Sequence, residues 1–160
     1  MKFILFLVGI LWAGIEVQAQ IEFQLENQRI NQIISENTTT LSIDHLGYLW
    51  IGTSNEVLRY DGHTLNAYQY EGKDGDALNG NYVYDILCKS DTSVWVSTNG
   101  GGISMYHYQT NTFKTISKGD TNSSILENRV TGMYALAQDS ILVHYRGIAY
   151  RSGGFTLLDH

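Results

Sequence analysis

The sequence's chemistry rests on five histidines, one cysteine and 16 carboxylates, with 11 tyrosines for stacking and hydrogen bonding. The histidines are His45, His63, His107, His144 and His160, and no two stand at i, i+4 as a helical metal pair requires. Neither a His-Glu-x-x-His nor a Cys-x-x-Cys run occurs, so the sequence predicts no metal site, no cofactor and no catalytic residue. Cys88 lies in the run Val83-Tyr84-Asp85-Ile86-Leu87-Cys88, which reads as a strand, and is itself read as a small buried hydrophobe rather than a reactive thiol. Asn99-Gly100-Gly101-Gly102 is rich in glycine but joins two apolar runs and opens no helix, so it reads as a turn rather than a phosphate cradle. Asp61-Gly62 is a hairpin signal of the same kind. The remaining candidates are Tyr68, Tyr70, Tyr106 and Tyr108, which alternate at strand ends; edge-strand packing is the first reading, and the ligand-binding reading is that rings with hydroxyls stack on sugar faces and bond sugar hydroxyls.

The elements that must position them are strands. Charged residues are only 16%, aromatics 12%, and proline is absent, so turns fall to Gly, Asn, Asp and Ser. The formal charge of −6, with no cationic run after Lys2, argues against nucleic acid and anionic membrane surfaces as partners. At the N-terminus Lys2 precedes an apolar run from Phe3 to Ile15, too short for a membrane span of about 20 residues. With Val17-Gln18-Ala19 behind it, the run predicts a signal peptide over 1–19, cleavage after Ala19 and a periplasmic mature chain with no membrane span. A lone cysteine in an exported chain forms no internal disulfide.

Residues 20–160 repeat internally. Tyr48-Leu49-Trp50-Ile51-Gly52-Thr53 resembles Val94-Trp95-Val96-Ser97-Thr98, the tryptophans 45 positions apart. Ile141-Leu142-Val143 is a third copy, with Leu142 placed 47 after Trp95. Leu41, Ile86 and Met133 each stand 9 residues before those central positions. Each central strand leads through a turn to a tyrosine-bearing strand, Val57–Tyr60, Ile103–Tyr106 and Gly147–Tyr150, and then to a last segment. Those segments are Thr64–Tyr68, Thr112–Ile116 and Gly153–Thr156. Four short strands in about 45 residues is the period of a propeller blade. The expected fold is all-β: a partial propeller of about three four-stranded antiparallel blades, near 33–70, 78–117 and 125–158. Trp50, Trp95, Gly52, Asp61, Gly62 and Gly101 are the expected structural repeat positions, with both tryptophans between blades.

The runs Asp44–Thr53 with Leu58-Arg59-Tyr60-Asp61-Gly62, and Val83–Ile86 with Val94–Ile103, resemble the two-component regulator propeller repeat over roughly 21–158. The opening Ile21-Glu22-Phe23-Gln24-Leu25 alternates like a strand where such proteins begin. Glu56-Val57, Lys89, Thr92 and Leu142 depart from the pattern. The resemblance implies the periplasmic sensor region of a hybrid histidine kinase or related regulator: non-catalytic, with oligosaccharide as ligand and the remaining blades and signalling domains as partners. Three blades fall short of a closed ring, so the chain reads as a fragment with apolar terminal faces and marginal solubility. The alternatives are a propeller enzyme, quinone-dependent dehydrogenase or polysaccharide lyase in type, and a structural or protein-interaction propeller.

Overall fold

A computed structural model describes residues 15–18, 20, 21, 24, 28, 31, 37–70, 72, 77–89, 93–120, 125–136, 140–146 and 154–159. The chain divides into two units, Met1–Glu36 and Asn37–His160. In the first, Ile15–Gln18, Gln20, Ile21, Gln24, Gln28 and Asn31 are helical and exposed. The strand expected over Ile21–Leu25 is therefore corrected to helix at Ile21 and Gln24. Ile21 and Leu25 stand i, i+4 as well as on one face of a strand, and a helix satisfies its backbone locally where a lone strand needs a partner edge. The apolar run from Phe3 to Ile15, up to Gly14, and the expected cleavage residue Ala19 lie outside the described residues. Among the described residues no helix is long and apolar enough to cross a membrane.

The second unit is built of antiparallel sheets formed from strands consecutive in sequence. The first has order β1-β2-β3-β4: β1 Thr38–Ile43, β2 Leu49–Thr53, β3 Val57–Tyr60 and β4 Leu65–Tyr68. The second is β5 Val83–Cys88, β6 Val94–Thr98, β7 Gly102–His107 and β8 Thr112–Ile116. The third has order β11-β10-β9, from β9 Val130–Ala135, β10 Ser140–Tyr145 and β11 Gly154–Asp159. β11 pairs directly with β10, Ile141 opposite Leu158 and Tyr145 opposite Gly154. Gly153–Thr156 was expected as a fourth strand, but Gly154 onward takes the third strand's place; Gly147–Tyr150, expected there, lies outside the described residues.

The register is the same in all three sheets. Leu41 faces Ile51, Ile86 faces Val96 and Met133 faces Val143. Each first turn closes alike, with the Asp44, Lys89 and Leu136 amides donating to the Tyr48, Ser93 and Ser140 carbonyls at 3.1, 3.0 and 3.1 Å. Trp50, Trp95 and Leu142 therefore hold one position in three copies. All five residues of β6 are buried, which explains why Val94-Trp95-Val96 is apolar without alternation: both sheet faces are covered.

Those faces form two cores. Trp50 and Val57 of the first sheet pack with Val83, Ile86, Val94, Val96, Tyr106 and Phe113 of the second. On the reverse face Trp95 and Ile103 pack with Val130, Met133, Ile141, Val143 and Leu158 of the third. Each tryptophan thus points into the following sheet, 0% and 1% exposed. Leu142 holds the same register half-buried, with Tyr134 and Leu157 opposite it 58% and 50% exposed.

Close approach explains two glycines. A Cβ on Gly52 would stand 2.7 Å from Val83 Cγ1 of the second sheet and 2.6 Å from Thr40 Cγ2. One on Gly101 would fall 1.7 Å from the Asn79 carbonyl oxygen. Gly62 adopts φ +96 in the β3–β4 turn, where Asp61 Oδ1 accepts from the His63 and Thr64 amides at 2.8 and 2.6 Å.

Candidate functional site

Between the first and second sheets lies a polar seam inside the aromatic core. Arg59, mid-β3, is placed by its pairing with Trp50 and Asn66. Its guanidinium sits over Tyr48, Tyr106, Trp50 and Tyr68 at 4.9, 5.4, 5.8 and 6.0 Å from the ring centroids. Arg59 Nη1 donates to the Tyr106 hydroxyl, while its Nε is buried with no partner. The Tyr106 hydroxyl donates to Asn111 Oδ1, as does that of Tyr68 at 3.1 Å. Asn111 reaches them from a turn in which its own φ is 60.

Asp44 anchors the other end. Its carboxylate accepts from the Leu46 and Tyr48 amides at 3.0 and 2.9 Å, from Trp50 Nε1 at 2.7 Å, and from the Tyr108 hydroxyl across the seam. Burial by itself would raise the Asp44 carboxyl, but the bonds from Tyr108, Trp50, Tyr48 and Leu46 together hold it below its ordinary value. Burial, then the hydrogen bond to Asp44 and the Asp44 charge, pushes the Tyr108 hydroxyl well up, and burial followed by the Tyr106 bond does the same to Tyr68. Cys88 packs against this core, and burial pushes its thiol up to about 11, against the Ser42 hydrogen bond. A neutral thiol is a poor nucleophile.

The four tyrosines singled out from sequence therefore separate. Tyr106 is 1% exposed, with rings against it from Trp50, Tyr68, Tyr108 and Phe113. Tyr68 stacks on Trp50 at 6.0 Å and 19°, and Tyr108 is half-buried with His45 against its edge. Tyr70 stands apart, 42% exposed, its amide donating to Asn81 Oδ1 at 2.9 Å. The chemistry of the seam is cohesion: the tyrosine ring faces and hydroxyls are largely spent on protein partners.

A second cluster, not singled out from sequence, joins the second and third sheets. Arg129 Nε and Nη2 donate to the Tyr84 hydroxyl at 3.2 and 3.0 Å. Tyr82, 41% exposed, lies 5.1 Å from the Tyr84 ring at 54°. The Tyr82 carbonyl accepts from the Asn99 amide at 2.9 Å, and Asn99 forms an antiparallel bridge with Arg129. The β6–β7 turn thus clamps Tyr82 and Arg129 side by side. Further along β5, Asp85 Oδ2 accepts from the Met133 amide of β9 at 2.7 Å, and burial raises its carboxyl despite that bond. The sequence held a signal for this cluster: Tyr82 and Arg129 are 47 apart, the same offset as Trp95 and Leu142. Among the described residues no group of three His, Cys, Asp or Glu side chains lies close enough to hold a metal ion.

Residues 77–100 match the family model described as two component regulator propeller. No curated protein matches the chain. The fold is similar to the extracellular domain described as that of the hybrid two component system BT3049 from B. thetaiotaomicron: TM-score 0.64, 21% identity, 77% of this chain and 17% of that one. The extracellular domain of BT4673 from the same organism, described as a one component system, matches with TM-score 0.62 and 21% identity over 81% of this chain and 18% of that one. A second structure of the BT4673 domain, described as hybrid two component, gives TM-score 0.61 and 22% identity. The chain spans less than a fifth of the length of these structures. It carries a two component regulator propeller repeat at 77–100, and its consecutive antiparallel sheets are propeller blades.

Proposed function

We propose that the chain is a non-catalytic, extracytoplasmic sensing module of a two-component signalling protein, with an oligosaccharide as ligand. The observation that carries this is the matched repeat at 77–100, lying within a stack of blades similar to the extracellular domains of such systems. The signal peptide read over 1–19 agrees with that compartment. In this reading the Arg59–Asp44 seam holds the blades in fixed relation, and the ligand meets side chains outside it. Sensing asks only for binding, so no acid–base pair is required of the module.

The test is a glycan array probed with the chain exported and processed by a bacterial host, followed by product analysis on each hit. Saccharide binding with the sugar recovered intact supports a sensor. Turnover of a bound saccharide, or binding to none, overturns the proposal.

A further inference from the structure

We propose that Arg129, Tyr84 and Tyr82 form a subsite for the carboxylate of an acidic sugar; this rests on the oligosaccharide reading above. The first observation is an uncompensated charge. Among the described residues no carboxylate pairs with Arg129, although the chain carries −6 overall. The nearest acidic residue in sequence, Glu127, is taken by Lys118 at 3.0 Å. Arg129 spends Nε and one Nη2 proton on a single phenol oxygen. Guanidinium has five N–H donors in a plane, so the rest of the fork remains for an oxyanion, and a planar carboxylate fits it two-pronged.

The second observation is the ring beside it. Tyr82 is 41% exposed next to Tyr84, presenting an apolar face with a hydroxyl tip. Such a face suits the C–H side of a pyranose. A sugar acid offers both features at once, a flat apolar side and an equatorial carboxylate. The third observation is support. Arg129 and Tyr82 are held by backbone bonds to the same Asn99, so the charge and the ring keep a fixed separation without a ligand. Both also occupy one repeat position, directly before a first strand. The side chain at that position changes from Asn37 to Tyr82 to Arg129.

The experiment is calorimetric titration of the whole chain with tetragalacturonate and with its full methyl ester, a neutral counterpart of the same shape. The acid should bind about tenfold or more tightly than the ester, the usual weight of one charge-assisted contact, and should weaken as salt rises. Arg129→Gln should abolish the preference, and Arg129→Lys should restore part of it, with thermal melting confirming that each variant folds. Tyr82→Ala should weaken acid and ester alike. Equal binding of acid and ester overturns the carboxylate subsite while leaving an oligosaccharide sensor standing; failure of every saccharide to bind removes both. Acetate binding as tightly as tetragalacturonate overturns the role given to the Tyr82 ring. If Arg129→Gln folds and keeps the full preference, Arg129 is a staple between blades and the assignment is wrong.

Discussion

Asp44 receives four hydrogen bonds and is held below its ordinary pKa, whereas Asp85 receives few and is raised by burial. The signs of their pH dependence are opposite. Asp44 contributes stability above its unfolded value, near 3.8, and that contribution is lost as pH falls through its lower folded value. Asp85 favours folding only while protonated; its contribution is present below about 3.8 and is lost as pH rises through its raised folded value. Asp44→Asn should destabilise the fold at neutral pH by about 1–3 kcal/mol, because it leaves one oxygen for four donors and turns an NH2 toward either the Trp50 and Tyr108 pair or the Leu46 and Tyr48 amides. That deficit should shrink toward about pH 3. Asp85→Asn keeps an oxygen for the Met133 amide and should equal or exceed the parent at neutral pH, the gain fading in acid. Thermal melts from about neutral to about pH 3 check both, and parallel pH curves for the two variants would show the assignment to be wrong. Site residues were less legible than strands at this scale. Alternation marks Tyr68, Tyr106 and Tyr108 as facing somewhere, but the partners of Tyr108 and Tyr106, Asp44 and Arg59, lie in a different repeat. Contacts between repeats are invisible in the pattern of one.

Gly52 shows what the blade as a unit demands of one backbone position. Its missing side chain lets Val83 of the second sheet approach the first, so Gly52→Ala should cost about 1–3 kcal/mol by forcing the blades apart. Gly154, where an added Cβ would meet nothing within 4 Å and φ is not positive, is the control, and alanine there should fall within about 0.5 kcal/mol of the parent. Denaturant titration of the two variants gives the comparison, and equal losses would remove the close-approach argument. The blade was legible because its central strand is covered on both sides: Leu49-Trp50-Ile51 and Val94-Trp95-Val96 are apolar without a break. The third sheet was harder. Gly153-Gly154-Phe155 looks like a last strand by spacing, yet only its pairing with Tyr145 and His144 assigns it to the middle of a blade. Ile21–Leu25 failed for a different reason, since five residues fit either period.

Among the described residues, the far face of the third sheet gathers large apolar side chains in the open. Phe155, Tyr134 and Leu157 are 62%, 58% and 50% exposed, and cross-strand pairing puts them on one side with Leu142 and His144. Apolar surface of this kind drives association. Sedimentation velocity should show mass rising with concentration, and Phe155→Ser with Leu157→Lys should suppress it; an unchanging monomer over the same range would contradict the prediction. Because Trp50 and Trp95 both point toward the following sheet, the stack has a direction, like an arrow. The outer sides of the first and third sheets differ: Leu41 and Ile43 are exposed on the first beside the buried Ile51 and Leu58, whereas the third presents the tyrosine, phenylalanine and leucine face. A two-fold dimer needs one patch that matches itself, and the exposed face of the third sheet can supply it alone. Copies that meet on that face stop at two, whereas a head-to-tail contact that does not close continues into an open polymer. Association through the third sheet's face should therefore plateau at the dimer, and a ladder of growing species would instead report head-to-tail stacking.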